Sequence, residues 1–546
     1  MPLINRRIGL LFAIFLFLLI GAVGRAAWLG GVKADELGSR AASQQEAELV
    51  VPARRGTISD RQGNELAVSE DAITVFANPF LIADPEGAAA QLAPHLGLTA
   101  PDVQAKLTEP GRGFVYVARR LPPDRGSAVE KLEIEGIETL VEARRVYPQG
   151  ELAGQLLGSV GVDGFGLAGI EQSQEDLLHG SEGRQSVVKD ALGKAISIDE
   201  HEPAVAGQDI ALTIDSAIQA RTEKVLDEIG EKYSPTGATA LVMNPANGEV
   251  LAMANWPAVD PEAFGEASEY DRQNRTVAAS YEPGSTFKAI TVAGALEESL
   301  VKPATLFDLP PSILVADREI GESHDRGTIS LSVADILAQS SNVGAVKIGL
   351  LLGAERFDAW VREFGFGDGT GIDVPGEASG IMLDTKDYSG STMGNLPLGQ
   401  GLAVTQVQLA SAYGAIANGG LLATPHVIAG SPPEFRRVVS GQTAKRVSKM
   451  LEGVLAAGGT ASEASIDGYR IAGKTGTAEK PDGYGGYSDS AYVASFVGFA
   501  PARKPELLVA IAVDEPQGSY YGGVVAAPAF EKIVEFALPY LQIPPE

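Results

Sequence analysis

Ser285 and Lys288 are three positions apart in this 546-residue chain, a spacing and a pair of residue types that could do covalent chemistry. A serine hydroxyl is a weak nucleophile until a neighbouring base takes its proton. An amine three positions further along a helix lies on the same face and can be that base, provided that burial keeps it neutral part of the time. The surrounding run is Tyr281-Glu282-Pro283-Gly284-Ser285-Thr286-Phe287-Lys288. Pro283-Gly284 ends whatever precedes it, and Ser285 is a preferred helix N-cap residue. Phe287, Ile290, Ala293, Gly294 and Leu296 then give the pattern of a buried helix. Ser285 is therefore predicted at a helix N-terminus, where partial positive charge favours an oxyanion. The same residues also fit a capped core helix with a snorkelling lysine. A second Ser-x-x-Lys, Ser186 to Lys189, has no Pro-Gly turn before it and has Asp190 after it, and is predicted as an exposed strand.

Two further stretches bear on the choice. Ser340-Ser341-Asn342 falls in the break between helices predicted over residues 331–339 and 343–352. There Ser340 could relay a proton and the Asn342 amide could bind a substrate carbonyl, although Asn342 could equally cap the second helix. Lys474-Thr475-Gly476-Thr477-Ala478 is predicted as a strand. A glycine inside a strand points to something close to the backbone, such as a peptide laid alongside as an added strand. Lys474 then supplies positive charge, and the Thr475 and Thr477 hydroxyls can bind a carboxylate. An exposed edge lysine beside a turn is the alternative.

The elements that must position these residues follow from the rest of the chain. Its length calls for two or more globular parts. The absence of cysteine excludes disulfides, a thiol nucleophile and thiolate metal sites. A net charge of −27 argues against nucleic acid or an anionic membrane surface as the main partner. The five histidines are far apart and form no metal-ligand spacing, so neither metal nor cofactor is expected.

Residues 8–24 are uncharged and mostly apolar, and Ala26 to Leu29 can extend them into a membrane-spanning anchor over 8–29; a cleaved signal peptide is the competing reading. Residues 30–48 are predicted as a polar stalk. Beyond it come a strand, turn and returning strand around Asp60-Arg61-Gln62-Gly63, a strand over 68–77, helices over 86–96 and 100–107, a strand over 114–119 and a helix over 124–132. A new helix begins after Asp215. Strands over 238–243 and 250–254, joined by an Asn-Gly turn, and late strands over 470–478, 492–499 and 507–513 enclose helices that include one over 445–457. Strands from both ends with helices between predict an α+β domain with an antiparallel sheet.

The three motifs, in this order, resemble those of the penicilloyl serine transferases. More closely, the chain resembles a class B penicillin-binding protein. Arg55-Gly56-Thr57-Ile58-Ser59-Asp60-Arg61, Arg145-Val146-Tyr147-Pro148 and Gly166-Leu167-Ala168-Gly169-Ile170-Glu171 are similar to signature segments of its N-terminal pedestal. Asn274-Arg275-Thr276-Val277 and Glu282 resemble the division-type subgroup.

The resemblance implies a cytoplasmic tail over 1–7, a dimerisation-type pedestal over 49–215 and a transpeptidase domain over 216–546, on the outer side of a bacterial cytoplasmic membrane. It implies cross-linking of peptidoglycan stem peptides ending in D-Ala-D-Ala, at the division septum or else in elongation or sporulation, with covalent inhibition by β-lactams. Ser285 is then the nucleophile, Lys288 its base, Ser340 and Asn342 catalytic partners, and Lys474, Thr475, Gly476 and Thr477 the substrate-binding strand. The backbone N–H groups of Ser285 and Thr477 form the oxyanion hole. A SEDS-type glycosyltransferase and other division proteins are the implied partners. Serine β-lactamases and D,D-carboxypeptidases use the same motifs to deliver water, and penicillin-sensing receptors do not turn over; the anchor and pedestal argue against the first two.

Overall fold

The computed structural model describes residues 2–34, 46–189, 195–483 and 486–546. Its contacts divide the chain into two compact units. The first holds the N-terminus to Arg54 together with His179–Gly207. Its helix Pro2–Ala27 runs into a wider turn, Trp28–Val32, and Arg6–Val32 is long and apolar enough to cross a membrane, with mean hydropathy 2.4 and none of it buried. A three-stranded antiparallel sheet joins Glu46–Val51, Gly183–Lys189 and Ala195–Glu202. Ser186 to Lys189 therefore lies in a strand, as expected, while its side-chain exposure and most of the expected stalk fall outside the described residues.

The second unit comprises Arg55–Leu178 and Gln208–Glu546. Its N-terminal part is a mixed sheet. The long strand Glu65–Ala77 pairs antiparallel with Ile58–Ser59, Val115–Leu121 and Ile137–Val146, and Ile58–Ser59 pairs parallel with Ile210–Ala211. Helices Pro85–Leu96 and Ala100–Leu107 form where predicted, because Asp84 and Thr99 cap them and a proline occupies the first turn of each. Their Leu92 and Val103 meet Val75 and Val117 in a small separate core.

The three segments singled out in the sequence converge here on one carboxylate. Glu171, fully buried, accepts from Arg55 Nε at 2.5 Å, Arg145 Nε at 2.6 Å and Tyr147 Oη at 3.4 Å. The Asp60 turn reaches the other way: its carboxylate accepts from Asn64 and, at 2.7 Å, from the hydroxyl of Ser216, which starts the helix Ser216–Tyr233.

The C-terminal part is built on five antiparallel strands in the order Val250–Trp256, Gly237–Met243, Leu507–Asp514, Tyr487–Ala500, Ala472–Pro481. Strands from both ends thus share one sheet, as predicted. Every residue of Gly237–Met243 is buried, with cover from helices Ser216–Tyr233 and Gln406–Ala417, while Ala527–Tyr540 packs on the neighbouring strands Leu507–Asp514 and Tyr487–Ala500. A lobe of helices, among them Asn342–Leu352, Ala354–Glu363 and Gly441–Leu451, packs around Lys288–Glu297, and the Phe287 ring centroid just before it lies 5.2 Å from that of Phe366.

Two expected helices have other limits. The one expected over 331–339 is Val333–Ala338, because Leu331 and Ser332 belong to a strand and Ser332 forms a capping box with Asp335. The one expected over 445–457 is Gly441–Leu451, which Ser440 caps and a 3₁₀ turn ends.

Candidate active site

The nucleophile turn departs from the expected cap. Pro283, Phe287 and Lys288 have helical backbone dihedrals, and Gly284–Phe287 forms a 3₁₀ turn that runs directly into the helix Lys288–Glu297. Ser285 lies inside that turn, with Pro283 at the cap position and no side-chain cap hydrogen bond, so it is a member of the first turn rather than its cap. The exception to ordinary dihedrals is Gly284, at φ +53°, where a side chain would be strained and would also press on Ala478 of the edge strand.

The turn is held from several sides. Gly284 N–H donates to Gly399 O at 3.0 Å, Thr286 Oγ1 donates to Pro283 O at 2.7 Å, and the buried Tyr413 hydroxyl donates to Thr286 O at 2.7 Å. Glu282 is engaged by Gly401 N–H and by the Tyr487 hydroxyl.

Lys288 is 1 % exposed, at the start of its helix. Its ammonium donates to Ser340 O at 2.6 Å, Asn342 Oδ1 at 2.6 Å and Ser340 Oγ at 3.3 Å. None of these bonds goes to Ser285. Burial lowers the Lys288 pKa to about 7, against a smaller opposing pull from Glu322. An amine with that pKa is neutral about half the time at neutral pH.

Ser340 turns its carbonyl toward Lys288 from a left-handed conformation, φ +60°, of the kind that costs about 1–3 kcal/mol in a non-glycine residue. Ser341, not Asn342, is the N-cap of Asn342–Leu352, accepting from Gly344 N–H at 3.0 Å. The Asn342 side chain is thereby freed to bridge Lys288 and Gly321 O.

Sequence reading missed Glu322. Its carboxylate accepts from Asn342 N–H at 2.8 Å, Val343 N–H at 3.2 Å and Ser341 Oγ at 2.6 Å, and pairs with Arg326. It lies on the N-terminus of the Asn342 helix, where negative charge is favourable. Nothing local marks an acidic residue 20 positions upstream as that partner. Gly399 and Gly401 were also missed; a Gly-x-Gly pair is too common to single out.

Among the described residues the strand Ala472–Pro481 is an edge strand, paired only with Tyr487–Ala500. Lys474 is fully buried, and its amine reaches Thr475 O at 3.2 Å and Thr475 Oγ1 at 3.4 Å. Burial, and secondarily the positive charge of Lys288, hold its pKa well below the usual amine range. Among the described residues no carboxylate pairs with either amine. The Thr475 hydroxyl shares a 2.8 Å hydrogen bond with Thr460, and Thr477 Oγ1 accepts from Gly522 N–H at 3.0 Å.

Gly476 is closely approached from within the chain itself. A Cβ there would lie 2.3 Å from Ser495 Oγ and 3.0 Å from both Pro283 O and Thr286 Cγ2. These close neighbours belong to the adjacent strand and the nucleophile turn. The structure thus brings Ser340 and Asn342 onto Lys288 and packs the Lys474 strand against the Ser285 turn.

Two family models match the chain: the penicillin-binding protein dimerisation domain over residues 50–212 and the penicillin binding protein transpeptidase domain over 238–535. Stage V sporulation protein D of Bacillus subtilis is 35 % identical, over 98 % of this chain and 85 % of its own length. Peptidoglycan D,D-transpeptidase FtsI of Escherichia coli K12 is 32 % identical, over 100 % of this chain and 93 % of its own. Among solved structures, penicillin binding protein 3 of Mycobacterium tuberculosis, complexed with aztreonam, has a TM-score of 0.72 at 29 % identity, covering 91 % of this chain and 98 % of that one. On the motifs, the geometry and these matches together, the chain belongs to the class B penicillin-binding proteins, in which a dimerisation domain precedes a transpeptidase domain.

Proposed function

We propose that this chain is a peptidoglycan D,D-transpeptidase working through an acyl-Ser285 intermediate. The observation that carries the reading is Lys288: a buried amine of pKa about 7, one turn from a serine and hydrogen-bonded to both Ser340 and Asn342. In this mechanism neutral Lys288 takes the Ser285 proton as the oxygen attacks the penultimate D-Ala carbonyl of a stem peptide. The Ser285 and Thr477 N–H groups stabilise the oxyanion, an effect of about 2.7–4 kcal/mol per donor in other enzymes. Ser340 passes the proton to the nitrogen of the departing D-Ala as the C–N bond breaks. Lys474, Thr475 and Thr477 hold the terminal carboxylate. An amine of a second stem then attacks the ester, and Ser285 regains its proton. A β-lactam enters the same path and leaves a slowly released ester on Ser285.

The domain limits we assign are 49–215 for the pedestal and 216–546 for the transpeptidase domain, with residues 8–29 as a single membrane anchor and the N-terminus inside. The role we assign is septal, with a SEDS-type glycosyltransferase supplying glycan strands. The 35 % identity to a protein named for stage V of sporulation supports a second reading, in spore formation. A fluorescent fusion separates them: a band at midcell in growing cells fits the first, signal confined to sporulating cells the second.

The chemistry is tested with a labelled penicillin and peptide mapping. Label on Ser285 that Ser285→Ala abolishes is the expected result; label on another residue, or undiminished label, rules the assignment out.

A further inference from the structure

With the stem's terminal carboxylate at Lys474, Thr475 and Thr477 and its scissile carbonyl at Thr477 N–H, the rest of the donor peptide runs along the edge strand toward Glu479. Thr475, Thr477 and Glu479 alternate onto one face of the sheet, and Glu479 lies two residues, about 6.8 Å, beyond Thr477. Directly opposite Glu479 in the ladder is Tyr492. The Tyr492 ring stacks on Tyr520, with centroids 4.2 Å apart, and the Tyr520 ring lies 4.5 Å from that of Tyr521. This aromatic row is fastened to the strand, because Gly522 N–H, next to Tyr521, donates to Thr477 Oγ1. Tyr520 and Tyr521 remain 37 % and 44 % exposed.

The Glu479 side chain is half-buried, and its carboxylate makes no hydrogen bond or ion pair among the described residues. The cations around it are placed elsewhere. Lys480 is committed to Asp514 at 2.8 Å and Glu515 at 2.6 Å. Arg318, from the hairpin that precedes Glu322, lies over the Tyr487 ring, and His324 meets Tyr521 at the far end of the row. Of the other carboxylates, Glu282 is held by Gly401 N–H and the Tyr487 hydroxyl, and Asp489 is exposed. Burial, then the charges of Glu479 and Asp489, raise the Tyr492 pKa, so the rings stay neutral in a field of negative sign. A carboxylate with no counter-ion beside aromatic rings attracts an ammonium twice over, by its charge and by the ring quadrupole.

We propose that Glu479 and the Tyr492–Tyr520 stack form a specificity subsite for a side-chain ammonium on the donor residue that precedes the D-Ala pair. The preferred donor stem therefore carries a diamino acid there, with its side-chain amine free and protonated. That residue follows the penultimate D-Ala along the groove, and a lysine-length side chain spans the remaining distance to Glu479. The inference rests on the proposed function for the placing of the terminal carboxylate. It does not depend on which residue is acylated.

The test compares Nα-acetyl-L-lysyl-D-alanyl-D-alanine with the same peptide acetylated also on its side-chain amine, which removes the charge and keeps the stem. Both are titrated by ligand-observed NMR against full-length Ser285→Ala protein in detergent, where turnover does not intervene. The charged peptide is expected to bind about three- to tenfold more tightly. Glu479→Gln, which keeps the shape, should bring the two within twofold of each other, and Tyr492→Leu should narrow the gap. About 1 M NaCl should narrow it too, a readout that needs no variant. Converting the terminal carboxylate to an amide should weaken both peptides; if it does not, the placing at Thr475 and Thr477 fails, whereas the ammonium preference is read between peptides that share that carboxylate. Equal affinities, no saturable binding of either peptide, or a preference that survives Glu479→Gln or high salt unchanged overturns the proposal.

Discussion

In the proposed mechanism the protonation of Lys288 sets how fast Ser285 can be acylated. Only the neutral amine can accept the proton, and that form grows as pH rises through about 7. The acylation rate constant with benzylpenicillin is therefore expected to climb from pH 5, pass its midpoint near 7 and level off above 8. Lys288→Met keeps the apolar stem and removes the base, so acylation should fall at least about a hundredfold and lose that pH dependence. Near-normal acylation of this variant would mean that another group deprotonates Ser285. Glu322 opposes the downward shift of Lys288 by stabilising its charged form. Glu322→Gln should therefore move the midpoint to lower pH; a midpoint that stays or rises counts against electrostatic contact between the two.

Among the elements, the pedestal depends on one buried carboxylate joining three segments far apart in sequence. Glu171 neutralises Arg55 and Arg145, which are 6 % and 4 % exposed. Removing one charge from a buried ion network leaves its partners uncompensated, at a cost of about 3–5 kcal/mol. Glu171→Gln is expected to lower the denaturation midpoint accordingly, while the transpeptidase site still takes up labelled penicillin under conditions where the protein remains folded. An unchanged midpoint would show that the arginines find other partners. The signature segments could be quoted from the sequence, but their common purpose could not. Arg55 and Glu171 are 116 residues apart, and no local pattern relates them.

For the whole molecule, the question is whether the apolar helix does more than tether. Among the described residues of its unit, none of the span Arg6–Val32 is buried. Gly9, Gly21, Ala22 and Gly24 would allow close approach of another membrane helix. If the proposed glycosyltransferase partner docks on this helix, replacing residues 8–29 with an unrelated membrane helix is expected to leave penicillin binding intact and to abolish both co-purification with that partner and support of growth. Full complementation by the chimera would reduce the segment to an anchor.

The sequence by itself determined what is written within a few neighbouring residues. The Pro-Gly turn before Ser285, the bounds of Ala100–Leu107, the hairpin around Asn247-Gly248 and the strands drawn from both ends into one antiparallel sheet all follow from periodicity, caps and turn residues. The order of the three motifs also carried the family. Tertiary structure alone decided what depends on contacts between distant segments. It made Ser285 part of a 3₁₀ turn, assigned the helix cap to Ser341 and released Asn342 to Lys288, 54 residues away. It also placed Glu322 on the Asn342 helix and gave Gly476 its reason in the packing of the nucleophile turn. The desolvation that brings Lys288 to a pKa near 7 belongs to this second class, because it is the product of every side chain packed around the amine and has no counterpart in the Ser-x-x-Lys spacing.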